Sequence, residues 1–383
     1  MVRIEATPNP RVLAWARKSA GMSVEVAAKR ASVKAEQLQA WEEGSSRPSI
    51  PQLRKLASTY RRPLAVFYLP EPPIRFQAMH DFRRLSPETV PPENSPELAF
   101  EIRRAYDRRE WALELMADIE ESPQSFDVRV TLGDDVEEAA GNLRESLHVS
   151  VAQQREWRTD YEAFKQWRLL LERAGMLTFQ ATDLELAEAR GFSISVRPLP
   201  VVVANIKDAP RGRIFTLLHE ATHIMLNEGG ICDLHDAAVE SFCNRVAGAA
   251  LFPKEELLSS DVVRHHRRGE RSWSQTELQE ISRQFGGSRE AALVRLLTLG
   301  LTDHVFYDRK REEFLRQYRE QRNRAGGFAP PHVVALSSAG PLFTGLVMES
   351  FNRERITASD VSDYLQIRLK HLGDVQSEFA WNT

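Results

Sequence analysis

Cysteine is almost absent from this chain. Its 383 residues include only Cys232 and Cys243. Two thiols cannot build a disulfide scaffold, and they fit a reducing compartment. Long apolar runs are also missing. None approaches the roughly 20 residues that span a bilayer as a helix. The first residues lack the basic-then-apolar pattern of a secretory leader. The expectation is a soluble cytoplasmic protein without a membrane partner. Net charge is small as well, −3 over the whole chain, yet it is unevenly spread. Residues 1–70 hold twelve Lys/Arg against five Asp/Glu, which leaves 39 basic and 49 acidic residues for the remainder. A basic head on an acidic body suggests that the head alone meets a polyanion.

What is present is concentrated in His219-Glu220-Ala221-Thr222-His223, an H-E-x-x-H motif in an apolar frame of Phe215, Leu218 and Ile224. On a helix, residues four apart project from one face, so His219 and His223 can offer two nitrogens to one zinc ion. Glu220 is then free to hold and deprotonate a water, which is the chemistry of a metal-dependent hydrolase, most simply a peptidase. Gly229-Gly230 reads as a stop for this helix. Zinc needs a third protein ligand. Asp236 can cap a second helix from Ala237 to Leu251, with Pro253 beyond its end, and Glu240 lies in its first turn. Glu240, Cys243, Asn244 and Ala247 share one face of it. His235, Asp233 and Asp236, in the connecting segment, are the rivals of Glu240. Cys243 is read first as a buried thiol, with a metal role as the alternative. Asn205 and Asn244 are candidates for hydrogen bonds around the site or for ordinary structural amides.

The strands expected before the metal helix are Met176–Phe179, Phe192–Val196 and Val201–Asn205, following a helix from Tyr161 to Gly175. An exposed edge strand here could hold an extended peptide by main-chain pairing. Pro70–Pro73 reads as a hinge out of the head, followed by His80–Arg84 and a Pro-rich loop from Pro91 to Pro96. A helix from Leu98 to Ile119 carries heavy charge, expected as a solvated face. Trp273–Leu301 reads as helix, turn, helix. Tyr307–Arg324 is expected as an exposed helix and Ala325–Pro331 as a linker. Two final helices are expected at Leu342–Asn352 and Ala358–Leu372, the latter capped by Ser359.

The head reads as short helices with tight turns: Arg11–Ala20 ended by Gly21, a second capped by Ser23, Lys34–Glu43 ended by Gly44, and a fourth capped by Ser49. The stretches Gly21–Ala27, Leu38–Gly44, Pro48-Ser49 and Leu53–Ala57 resemble phage-repressor-type (XRE) helix-turn-helix domains. That resemblance implies that the third helix enters the major groove, with Lys34, Glu36, Gln37 and Gln39 facing the bases and Gln37 and Gln39 able to read adenine edges. Lys29, Arg30, Arg47, Arg54 and Lys55 are candidate phosphate contacts. The third helix departs from a strongly basic pattern, since it carries Glu36, Glu42 and Glu43. Retention of the head as a protein-interaction module is the alternative to duplex DNA.

Gly191-Phe192-Ser193, Val203-Ala204-Asn205, Arg213–His223, Glu240–Ala247 and Leu251-Phe252-Pro253 together resemble the ImmA/IrrE family of zinc metallopeptidases. The resemblance runs over roughly residues 160–255. It implies that Glu240 is the third zinc ligand, that the Trp273–Leu301 segment packs on the catalytic core, and that the substrate is a transcriptional repressor cleaved to release a stress-response or mobile-element regulon. The alternative is a DNA-binding regulator whose metal site is structural or sensory.

The expected fold is α+β and mostly helical: an all-α helix-turn-helix head, a zincin-like core with a small sheet packed on the metal-binding helices, and a helical C-terminal region. The expected segments are 1–74 for the head, 75–155 as a helical connection, 156–302 for the peptidase core and 303–383 for the C-terminal region.

Overall fold

The computed structural model describes residues 5–73, 95–226, 237–267, 269–322 and 330–382. His80–Arg84, the loop residues 91–94, Gly229-Gly230, Cys232, Asp233, His235 and Asp236 lie outside them. The chain divides into two compact units near residue 104, with 187–189 joining the first.

The first unit is helical. Asn9 accepts from the Arg11 amide and starts α1 (Pro10–Ser19), and Ser23 caps α2 (Val24–Ala31) by accepting from Val26 N. α3 (Ala35–Glu42) follows Lys34. Ser49 and Gln52 form the capping box of α4 (Ile50–Thr59). These caps satisfy amides that have no partner within their own helix. The apolar faces meet in a core of Leu13, Ala16, Leu38, Trp41, Leu56 and Phe67. One ion pair crosses that core's edge. Arg17 donates from Nε and Nη2 to both Glu42 oxygens at 2.8 Å, and from Nη1 to Met22 O.

α5 (Pro96–Asp118) corrects the reading of its charge as a solvated face. Arg103, Arg108 and Arg109 are all buried. Arg108 donates to Ser338 O and Oγ, and Arg109 to Leu199 O and Pro198 O. Ile102, Ala105, Arg109, Ala112, Met116 and Ile119 follow each other at alternating steps of three and four, so Arg109 occupies a core position of the stripe.

The second unit is built around α6 (Val136–Ser146), α7 (Val151–Glu156) and α8 (Asp160–Arg173), followed by β1 (Leu177–Ala181), β2 (Gly191–Ile194) and β3 (Val201–Asn205). The strand order is β1-β3-β2. β3 runs parallel to β1 from Leu177↔Val201 to Ala181↔Asn205, and antiparallel to β2 from Gly191↔Ala204 to Ile194↔Val201. β1 and β3 are buried throughout, as expected for strands covered on both faces. Helix α9 (Pro210–Leu226) packs on β2 and β3, and α10 (Ala237–Leu251) packs along α9. Ala247, Ala249 and Ala250 are small enough for that close approach, and join Leu217, Leu218, Ala221 and Ile224 in one core.

After α11 (Lys254–Leu258) and α12 (Asp261–His265), α13 (Gln275–Phe285) and α14 (Arg289–Thr298) form the expected helix-turn-helix. Leu278, Ile281, Phe285, Leu293 and Leu296 are buried in the same core as α10, so this segment packs against the ligand-bearing helices. α15 (His304–Arg322) has mostly exposed or half-buried side chains over residues 304–314 but docks through Phe306 and Phe314.

The C-terminal end differs from expectation in two places. The expected linker ends in a helix, α16 (Pro331–Ala339), whose fixed proline φ suits its first position. The expected single helix from Ala358 to Leu372 is broken. After α17 (Pro341–Asn352), α18 (Ala358–Leu365) ends where Gln366 turns left-handed at φ 56°, and α19 (Leu372–Asn382) follows a short 3-10 turn at Leu369–His371. The cap is Thr357, not Ser359: its hydroxyl accepts from Asp360 N, and Asp360 accepts from Thr357 N in return. Among the described residues no single helix is long and apolar enough to cross a membrane. α16 and α17 pass that test only as a pair bent by 107°.

Candidate metal centre

α9 brings the H-E-x-x-H residues to the sheet. Ile214, Leu217, Leu218, Ala221 and Ile224 are buried, so the helix is covered on most sides. Gly191 permits the close contact with β2: a Cβ there would lie 2.4 Å from both Thr216 Cγ2 and Val203 O.

His219 and His223 point the same way, with their Nε2 atoms 3.1 Å apart. Glu240, from the first turn of α10, faces both. Its Oε1 lies 3.1 Å from His223 Nε2 and its Oε2 3.5 Å from His219 Nε2. His223 is wholly buried, and Glu240 is half-exposed. Burial alone would raise the Glu240 carboxyl. The hydrogen bonds and charges of the two imidazoles outweigh it and hold that carboxyl well below the ordinary carboxylate range.

The donor set fits a metal ion. A neutral imidazole has only one N–H, and here both Nε2 atoms meet each other and a carboxylate that only accepts. Ligands at the ~2.0–2.1 Å typical of zinc would stand about 3.3 Å from one another in a tetrahedron, close to the separations observed. The two imidazoles and one carboxylate leave a coordination position open. His219, His223 and Glu240 therefore could hold a metal.

Glu220 is nearly buried on the same helix. Its Oε2 accepts a hydrogen bond from Ser193 Oγ on β2 at 2.8 Å. The sequence reading did not single out Ser193 as a site residue. Strand alternation was the available sign: Phe192 and Ile194 are buried and Ser193 faces the other way, toward α9. β2 is an edge of the sheet, pairing with β3 alone among the described residues.

Other candidates fall elsewhere. Asn205 is fully buried and structural, with Nδ2 donating to Leu184 O and Oδ1 accepting from Lys207 N. Asn244 is exposed. Cys243 is a buried thiol outside the ligand cluster. Arg213 is buried beneath the sheet, where it donates to Gln180 Oε1 and lies 4.5 Å from the Phe164 ring centroid. In the head, Lys34, Gln39, Arg30 and Arg47 are exposed and Gln37 partly so. Arg30 pairs with Glu97 at 2.9 Å, and Gln39 Nε2 donates to Glu43. Glu42 is neutralised by Arg17 rather than presented on the surface of α3.

Comparison with protein-family models matches residues 171–297 to the IrrE N-terminal-like domain, Peptidase_M78, and residues 13–67 to a helix-turn-helix family. The first match spans the sheet, both ligand-bearing helices and α13–α14; the second spans α1 to α4. Comparison with curated proteins and with solved structures gave no match. A segment similar to the Peptidase_M78 domain and a helix-turn-helix segment in one chain support a protease or regulator of the ImmA/IrrE type.

Proposed function

We propose that this protein is a zinc-dependent endopeptidase that cleaves a transcriptional repressor and so switches on a stress-response or mobile-element regulon in the cytoplasm. The observation that carries the reading is the convergence of His219, His223 and Glu240 beside the nearly buried carboxylate of Glu220. Those three ligands would hold the ion. When bound there, zinc lowers the pKa of water toward about 7 and polarises a carbonyl. Glu220 would take the proton of the attacking water and deliver it to the leaving amine nitrogen. Ser193 would hold the Glu220 carboxylate in orientation for both transfers. The edge strand β2 offers free main-chain groups that an extended peptide could pair with, which suits a protein substrate.

The head would bring the enzyme to double-stranded DNA or to a partner bound there. Lys34, Gln37 and Gln39 are assigned to the base side and Arg30 and Arg47 to phosphates. With Glu42 held by Arg17, the acidic load of the recognition helix falls to Glu36 and Glu43. Salt-sensitive binding of duplex DNA by the full chain, weakened by Lys34→Ala and Arg47→Ala, is the expected result.

The experiment for the enzyme is cleavage of repressors encoded beside the gene, by the wild type and by Glu220→Gln. Cleavage by the wild type that vanishes in the variant, with metal content unchanged, is expected. Undiminished cleavage by the variant would sink the peptidase reading. It would leave a regulator whose metal site is structural or sensory.

A further inference from the structure

A second cluster of metal-ligating side chains lies in the C-terminal helices and has no part in the chemistry above. His332 stands in the first turn of α16, His371 at the end of the 3-10 turn before α19, and Asp374 in the first turn of α19. His371 Nδ1 lies 3.1 Å from Asp374 Oδ2, and His332 Nδ1 lies 3.7 Å from the same oxygen. All three donor atoms fall within 4.8 Å of one another.

We infer that His332, His371 and Asp374 form a second metal site, specific for a divalent transition ion.

An ion pair accounts for His371 and Asp374, because 3.1 Å is a hydrogen-bonding distance. His332 is only at long ion-pair range of the same carboxylate, without a hydrogen bond to it. Its Nδ1 faces that shared oxygen at a separation too long for a hydrogen bond, and among the described residues its imidazole has no hydrogen-bond partner. The arrangement does suit two ligands of one ion, whose donor atoms stand about 3.3 Å apart in a tetrahedron and somewhat more at wider angles. The donor set repeats that of the first centre, two imidazoles and one carboxylate, and the separations repeat it too: 3.1 and 3.7 Å here, 3.1 and 3.5 Å there. Imidazole donors with a single carboxylate select zinc, nickel or copper over magnesium or calcium, which prefer all-oxygen shells. Both histidine side chains are about one-fifth exposed, so an ion can enter from solvent and keep water in its open positions.

An ion at this point would tie the start of α16 to the start of α19. The last turn of α16 is itself bonded to the sheet, where Gln180 Nε2 donates to Ser337 O and Ser338 Oγ donates to Gln180 O. The metal would therefore fasten the final helix to an element already held by the core.

The test uses the untagged full-length chain, stripped with a chelator, reloaded with Zn2+ and freed of loose ion by gel filtration. Two equivalents are expected for the wild type and one each for His332→Ala, His371→Ala and Asp374→Asn. His223→Ala should also lose one equivalent, from the first centre, which separates the two sites whatever the enzyme proves to cleave. Added Zn2+ should raise the melting temperature of His223→Ala, and the double variant His223→Ala/His332→Ala should lose that rise. A wild type whose bound Zn2+ survives all three C-terminal substitutions, or a His223→Ala variant that binds none, overturns the assignment.

Discussion

Two polar clusters of the second unit are built on opposite rules. At the candidate metal centre, two imidazole nitrogens and a carboxylate converge on one point at 3.1 to 3.5 Å. Beneath the sheet, donors face acceptors throughout. Arg168 donates from Nε to Thr178 Oγ1, from Nη2 to Thr178 O and from Nη1 to Ser337 O. The Thr178 hydroxyl passes its proton side to Glu172 Oε1, and Glu172 Oε2 accepts from Leu342 N. Gly340 turns the chain over this network at φ 82°, where a Cβ would lie 2.3 Å from Thr178 O. A cluster complete within the chain fastens the fold. A cluster of two imidazoles and a carboxylate drawn together at ligand spacing could hold an ion.

The largest expected effect separates the clusters by chemistry. Glu220→Gln is expected to lower kcat for repressor cleavage by about 10²–10⁴-fold, the usual contribution of a general base. Metal content and melting temperature should stay at wild-type values, because the ligands and the core are untouched. A parallel fall in both would place Glu220 in the structural class instead.

Next in size is Arg168→Ala. It strips a buried carboxylate of its cationic neighbour and leaves Thr178 O without a donor. Breaking a buried pair from one side costs about 3–5 kcal/mol. Denaturant unfolding should show that loss, while the stoichiometry at His219, His223 and Glu240 stays the same. Loss of metal together with stability would break the distinction between the two clusters.

The third effect depends on pH. Burial pushes the Glu172 carboxyl up to about 7, against the opposing pull of Arg168 and the hydrogen bonds from Thr178 and Leu342. Its folded value thus lies above the ordinary 4.5 of the unfolded chain. The folded state binds the extra proton, so the contribution is complete below pH about 4.5 and is lost as pH rises through about 7. The size is on the order of 3 kcal/mol. The difference in unfolding free energy between wild type and Glu172→Gln should fall across that window. A difference that is flat or rises with pH contradicts the assignment. Glu240, held low by its histidines, acts in the opposite direction. The subtraction is needed for that reason.

The contrast also explains what the amino-acid order disclosed. The convergence of the candidate ligands was legible because such a set follows local rules: His219 and His223 sit one turn apart, and Glu240 lies in the first turn of the next good helix. The strands were legible because Val201–Ala204 is an apolar, β-branched run and Phe192-Ser193-Ile194 alternates. The structural cluster was not. Arg108, Arg109 and Arg168 look like solvent-facing charge until their partners Ser338, Leu199 and Ser337 are known, and most of those partners lie far away in sequence. Carbonyl acceptors carry no residue signature, so nothing in the chain announces them. The one available hint was the occupation of a stripe position by Arg109. The ends of α18 escaped for a related reason. Gln366 takes a left-handed conformation that its residue type does not advertise, and Thr357 outcompetes Ser359 as a cap through its reciprocal bonds with Asp360.

The smallest expected effect lies at the bond joining the metal helix to edge strand β2. Ser193 Oγ donates to Glu220 Oε2 at 2.8 Å. Removing it by Ser193→Ala takes away one side-chain hydrogen bond at a partly exposed site, about 1 kcal/mol. If the bond orients Glu220 for proton transfer, kcat should fall about five-fold with KM little changed, since about 1.4 kcal/mol corresponds to a tenfold change in rate. Ser193→Thr keeps the hydroxyl on a strand that tolerates β-branching, and it should restore much of the rate. A purely structural bond would behave differently: the melting temperature would drop in Ser193→Ala while kcat held. Ser193 would then belong with Arg168 and Thr178, and β2 would be only a wall of the site rather than part of its machinery.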